Sequence, residues 1–183
     1  MKDEFIKELR DTGRQGIDNL ILAMEKGGFF TAPCSGKYHL AEEGGLVKHS
    51  LNVLDCARKL NAAFGFPVDN ATLTIVSLLH DLGKMGDHGK PNYVEKILKG
   101  GERSAAEPFT TNKDLAYIDH EIRSVMIAER YIELKEEEEQ AILFHNGLYS
   151  IFKYEIQGKE TELYMILHFS DMWASRVIEK GDE

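Results

Sequence analysis

The run ATLTIVSLLHDL, Ala71 to Leu82, constrains this chain more than any other stretch. It is too long for an ordinary strand and too short to span a bilayer, so it predicts a helix buried on nearly every side, at the centre of an all-α core. Its only ionisable groups, His80 and Asp81, stand side by side where the apolar pattern ends and the glycine-broken loop GKMGDHGK begins. A buried carboxylate beside a buried imidazole needs a partner, because an unpaired buried charge costs several kcal/mol or neutralises.

The remaining periodicity is also helical. Residues 3 to 10 and 14 to 26 form two amphipathic segments, the second ended by Gly27-Gly28, and a long glycine-containing loop, FFTAPCSGKYHLAEEGG, follows. Leu46 to about Phe64 reads as a helix, and Phe66-Pro67-Val68-Asp69-Asn70 as a turn. Residues 83 to 114 read as an irregular excursion with at most a short helix from Tyr93 to Leu98. Asp119 is placed to cap a helix running through HEIRSVMIAERYI. The KEEEEQ run starts another, its acids at the favourable end of the helix dipole and its Glu136 to Glu139 face in solvent. Residues 150 to 160 suggest a hairpin or extended arm, and ETELYMILHFSDMWASRVIEK a last helix. The expected architecture is an all-α bundle of six or seven helices: residues 1–29 form an N-terminal helical segment packed on a domain spanning 30–183, one structural unit overall.

Composition limits function. A net charge of −9 disfavours a surface built to neutralise many phosphates, so strong polynucleotide binding is not expected, whereas a small phosphorylated molecule or a short strand end is compatible. Cys34 and Cys56 have neither zinc-finger nor redox spacing, which fits a reducing compartment. The charged N-terminus lacks a signal-peptide core and no segment is apolar enough to span a membrane, so a cytoplasmic protein is expected.

The histidines fall into an order. His49 shares a helical face with Leu46, Val53, Cys56 and Leu60, so it points inward. His80-Asp81 follows about thirty residues later; His120 begins one helix, His145 ends the next before Asn146-Gly147, and Asp171 sits among apolar residues of the last helix. One histidine of this kind is ordinarily a satisfied core or surface residue. Together, inward imidazoles and carboxylates on separate helices point to a metal ion as their common partner.

This order, His49, His80-Asp81 and Asp171, resembles the defining motif of the HD-domain superfamily of metal-dependent phosphohydrolases, with His120 and His145 similar to the extra ligands of its two-metal members. The likeness covers about residues 30 to 178. The wording KYHLAEEGGLVKHSLNVL followed by LLHDLGK is similar to the HD domains of certain bacterial 3′-to-5′ exoribonucleases and their single-domain relatives, although 183 residues leave no room for the nucleic-acid-binding OB module of those exonucleases. The resemblance implies a first metal held by His49, His80, Asp81 and Asp171, and a second held by His120 and His145 with Asp81 bridging. Mixed nitrogen and oxygen ligands suit manganese, iron, cobalt, nickel or zinc. Such a pair supports hydrolysis of a phosphate ester.

Within that frame Lys84, three residues after Asp81, can reach a phosphate and offset transition-state charge. His39 and Arg176 are further candidates to contact substrate, and His168 is a candidate donor to a ligand. His145-Asn146 departs from the His-His pair of many two-metal relatives, which leaves an additional ligand at that position open. Three functions are compatible with the sequence: a phosphohydrolase of a nucleotide or other small phosphate ester, including nuclease action on short strands; an HD-type di-iron oxygenase, separable by its need for redox-active iron; and a non-catalytic binding module.

Overall fold

The computed structural model describes residues 1–65, 68–150 and 152–180. Its seven α-helices are α1 (Lys2–Asp11), α2 (Ile17–Gly27), α3 (Gly45–Phe64), α4 (Asn70–Leu79), α5 (His120–Ala128), α6 (Glu136–Phe144) and α7 (Glu162–Trp173), the last continued by a π-helical turn, Ala174–Ile178. The chain is an all-α bundle, and α4 is its axis. Asp69 caps α4 by accepting from the Thr72 amide at 2.8 Å, and residues Thr72 to Leu79 are all buried. Helices α3, α6 and α7 pack around it, while α1 and α2 add Phe5, Leu9, Leu20 and Met24 to the same core. No helix among the described residues is long and apolar enough to cross a membrane.

Four expectations are corrected. The stretch near Tyr93 is a strand, not a helix: Tyr93–Glu95 (β1) pairs antiparallel with Phe109–Thr111 (β2), Val94 opposite Thr110. β-Branched residues favour that pleated pairing, and Lys96 extends it by donating its amide to the Pro108 carbonyl at 3.0 Å. The described part of residues 150 to 160 is a series of turns with Ile156 buried, without strand pairing; Ile151 lies outside the described residues, as do Phe66 and Pro67 of the expected turn. Helix α5 stops at Ala128, short of Ile132; the Glu129 carboxylate instead accepts from the Leu134 amide at 2.7 Å. Finally, the acidic run is not wholly solvated. Glu138 is fully buried, bound by Arg14 at 2.6 and 2.9 Å and accepting from the Lys135 amide at 2.9 Å.

Candidate metal centre

Helix ends bring the site together. Helix α3 presents His49 on the buried face that carries Leu46 and Val53. His80 is the C-cap of α4, and Asp81 leaves the helix at φ −102°, ψ 13°, opening a 3₁₀ turn, Leu82–Met85, that carries Lys84. His120 starts α5, His145 follows the last residue of α6, and Asp171 lies in α7. The turn is pressed against α5. A Cβ on Gly83 would stand 2.3 Å from the His120 carbonyl oxygen, and the Gly83 amide donates to Ser124 Oγ, which donates to that carbonyl, each at 2.8 Å. Only glycine permits this approach.

The six expected ligands converge. His49 Nε2 lies 3.2 Å from His80 Nε2, 3.1 Å from Asp171 Oδ1 and 3.5 Å from Asp81 Oδ2, and His80 Nε2 lies 3.4 Å from Asp81 Oδ2. The other Asp81 oxygen, Oδ1, faces His120 Nε2 at 3.3 Å and His145 Nε2 at 3.5 Å. One carboxylate thus looks towards two imidazole pairs, one with each oxygen. His49, His80, Asp81 and His145 are buried, and Asp171 is 14% exposed.

The opposite ring nitrogens have other partners. His49 Nδ1 lies 2.9 Å from Glu179 Oε2, His80 Nδ1 donates to the Ser77 carbonyl at 2.9 Å, and His145 Nδ1 donates to the Ile142 carbonyl at 2.7 Å. His120 Nδ1 faces Asp119 and Glu121 at 3.3 and 3.2 Å. The expected cap from Asp119 is absent because its carboxylate turns to this ring. With hydrogen on Nδ1, each ring aims an Nε2 lone pair at the centre, and the buried Asp81 Oδ1 has no hydrogen-bond donor. Lone pairs at 3.2 Å and an orphaned carboxylate oxygen are unfavourable neighbours unless a cation lies among them. The residues fit a bound metal, and groups such as His49-His80-Asp171 and His80-Asp81-His145 can hold one.

Protons compete with a cation for two of these rings. Burial opposes charge on Asp81, yet Lys84, His80, His120 and His145 hold its pKa well below the usual carboxylate value. Burial opposes charge on His120 too, and Asp119 and Asp81 outweigh it, holding the ring up to about 9. His49 is likewise held well above its usual value against burial by Cys34, Asp171 and Glu179. Burial lowers His80, which favours the neutral ring that a ligand must present.

Substrate-side expectations have mixed outcomes. Lys84 Nζ sits 2.6 Å from Asp81 Oδ2 and lines an open pocket of about 1300 Å³ together with His39, Asn146, His168, Asp171 and Arg176. His39 Nε2 contacts Cys34 Sγ at 3.3 Å, and burial together with the cations His49 and Lys84 pushes its pKa down to about 4. Arg176 is at the rim, exposed, its guanidinium 4.7 Å over the Tyr149 ring. His168 Nδ1 donates to the His145 carbonyl at 2.6 Å, behind that candidate ligand. His88 is exposed and outside the site.

Two further residues join the site without a motif to mark them in the sequence. Glu179, which also accepts from Asn52 Nδ2 at 2.9 Å, lies eight residues after Asp171, and that helical spacing was its only signal. Glu121 is the second: Asn146 Nδ2 donates to its Oε1 at 2.7 Å and lies 3.1 Å from His120 Nε2, so Asn146 occupies the departed position as an orienting amide. The family model for the HD domain matches residues 46–171, an interval that begins just before His49 and ends on Asp171. Comparison with curated proteins and with solved structures returns no match.

Proposed function

The chain belongs to the HD-domain family of metal-dependent phosphohydrolases, and from that premise we propose that it hydrolyses a phosphate ester of a nucleotide or similarly small phosphorylated molecule at a two-metal centre. The observation that carries the proposal is the division of Asp81: Oδ2 faces His49 and His80, and Oδ1 faces His120 and His145. In this reading His49, His80, Asp81 and Asp171 hold one divalent ion, and His120 and His145 share Asp81 with a second. Mn²⁺, Fe²⁺, Co²⁺, Ni²⁺ and Zn²⁺ suit this donor set. When bound, such ions supply Lewis-acid polarisation of the phosphoryl group and lower the pKa of water.

The protein's own groups do the rest. Burial opposes charge on Lys84, but Asp81 and Cys34 hold its pKa well above the usual lysine value, so it remains a cation at the pocket floor. It steadies the Asp81 carboxylate and offers its remaining hydrogens to a phosphate oxygen, offsetting charge that grows in the transition state. His39, neutral at physiological pH, can hydrogen-bond the ester, and Arg176 adds positive charge at the rim. The net charge of −9 favours a small substrate over a polynucleotide.

Elemental mass spectrometry of the purified chain, paired with phosphate release from a nucleotide panel under Mn²⁺, Co²⁺, Ni²⁺ or Fe²⁺, tests the proposal. About two ions per chain and release with a redox-inert ion are expected. Two irons with no release would favour the oxygenase chemistry, and no binding under any loading would overturn the site. Asp81→Ala is expected to lose metal and activity together; turnover retained with unchanged metal content would sink the bridging role.

A further inference from the structure

Helix α7 has three faces. One is in the core through Leu163, Ile166, Leu167 and Ser170, and one bears Asp171 towards the metal centre. The third faces solvent although it is apolar: Met165 is 37% exposed, Phe169 47% and Trp173 57%. Offsets of four align these three on α7; Glu162 is exposed three residues before Met165, and Arg176 is exposed three residues after Trp173, in the π-helical turn. Phe169 leans on the His168 ring at 5.6 Å, and Tyr149, 66% exposed, continues the surface beneath Arg176. Contiguous apolar surface of this kind is uncommon on a soluble monomer and marks an interaction face.

The face carries its own complement. A two-fold axis through Phe169, relating two antiparallel copies of α7, sets Phe169 against Phe169. It sets Met165, four residues before, against Trp173, four residues after. Glu162, seven before, comes opposite the π-helical turn that carries Arg176, whose long side chain can reach it, and each such pair occurs twice. Self-complementarity about a two-fold is what an isologous dimer interface requires, and antiparallel helices also oppose their dipoles favourably. An anionic membrane is a poorer occupant, because the chain carries a net charge of −9 and an acid at one end of the face.

We propose that the outer face of α7 and its π-helical continuation, Glu162–Met165–Phe169–Trp173–Arg176, is a homodimer interface that pairs antiparallel with the same segment of a second copy. Dimerisation would place a partner's carboxylate beside Arg176 at the pocket rim, linking assembly to the mouth of the site.

Sedimentation equilibrium of the full chain is the test, with an expected mass of twice 20.7 kDa. Phe169→Asp combined with Trp173→Asp should give monomer with unchanged far-UV circular dichroism. Glu162→Arg or Arg176→Glu alone should weaken the dimer roughly tenfold or more, and the two together should restore it, which tests the register rather than mere stickiness. Because the two-fold brings both copies of residue 169 together, Phe169→Cys should form an intermolecular disulfide faster than Leu22→Cys on the exposed side of α2. A monomer at every concentration up to about 1 mM would assign the face to some other occupant and overturn the proposal. So would a dimer that survives the double aspartate variant, a charge swap without rescue, or equal cross-linking at positions 22 and 169.

Discussion

At a single residue, a candidate ligand depends on what stands behind it. His49 presents Nε2 inward because Glu179 engages Nδ1, and Glu179 is itself held by Asn52. A carboxylate behind an imidazole fixes the ring and raises its basicity as a ligand. Glu179→Gln keeps the shape but removes the charge and one acceptor. We expect metal affinity to fall about 10–100-fold with the fold unchanged, read by competition with a chromogenic chelator. An affinity equal to that of the parent chain would show that Glu179 is only a packing neighbour. The convergence of His49, His80, Asp81 and Asp171 was legible because motif order alone separates them from ordinary core residues. Glu179 was not, since an acid near the end of an amphipathic helix has no distinguishing context in sequence.

At the scale of elements, the decisive junction is the one between the 3₁₀ turn after α4 and the start of α5. The apolar pattern made α4 legible, and the glycines of GKMGDHGK announced its end. That Gly83 touches the His120 carbonyl was not readable, because the two lie far apart in the chain. Gly83→Ala forces a methyl group to within 2.3 Å of that oxygen and 2.9 Å of Arg123 Cβ. Backbone must move to relieve this, so chemical denaturation should show a loss of about 1–3 kcal/mol. The shift would also part Asp81 from His120, so under the proposed two-ion site, binding at the His120–His145 side should weaken more than at the His49–His80 side. The β1–β2 pairing and the burial of Glu138 escaped the sequence for the same reason as the Gly83 contact. Local periodicity reports which residues share a face, not which distant segment arrives to cover it.

Across the whole molecule, the core and the site are joined by buried charge. Glu138 on α6, fully buried, binds Arg14 in the α1–α2 connection and thereby ties the N-terminal segment to the helix that His145 caps. Removing one partner of such a pair strands the other, so Glu138→Ala should destabilise the protein by about 3 kcal/mol. A loss below about 1 kcal/mol would mean that solvent reaches Arg14 freely enough to make the tie immaterial.

The proposed metal centre acts on the same scale, because its candidate ligands come from α3, α5, α7, the C-cap of α6 and the end of α4, which unfolding separates. A cation that binds only the assembled set stabilises the fold by mass action, about 2.7 kcal/mol when its free concentration is a hundred times the dissociation constant. For a chain of this size each kcal/mol moves the melting temperature by roughly 2–4 °C, so metal at that excess should raise it by about 5–10 °C over the chelated protein. The sign follows from Asp81 and Asp171, largely buried carboxylates gathered among four imidazoles, whose charge a cation offsets as His49 and His120 release their protons. Calorimetry of the chelated, reloaded and Asp81→Ala proteins separates this from general salt effects: only the first two should differ, and the variant should be indifferent to added metal. Equal melting temperatures with and without saturating ion would mean that the ligands are not gathered by the fold as the distances indicate.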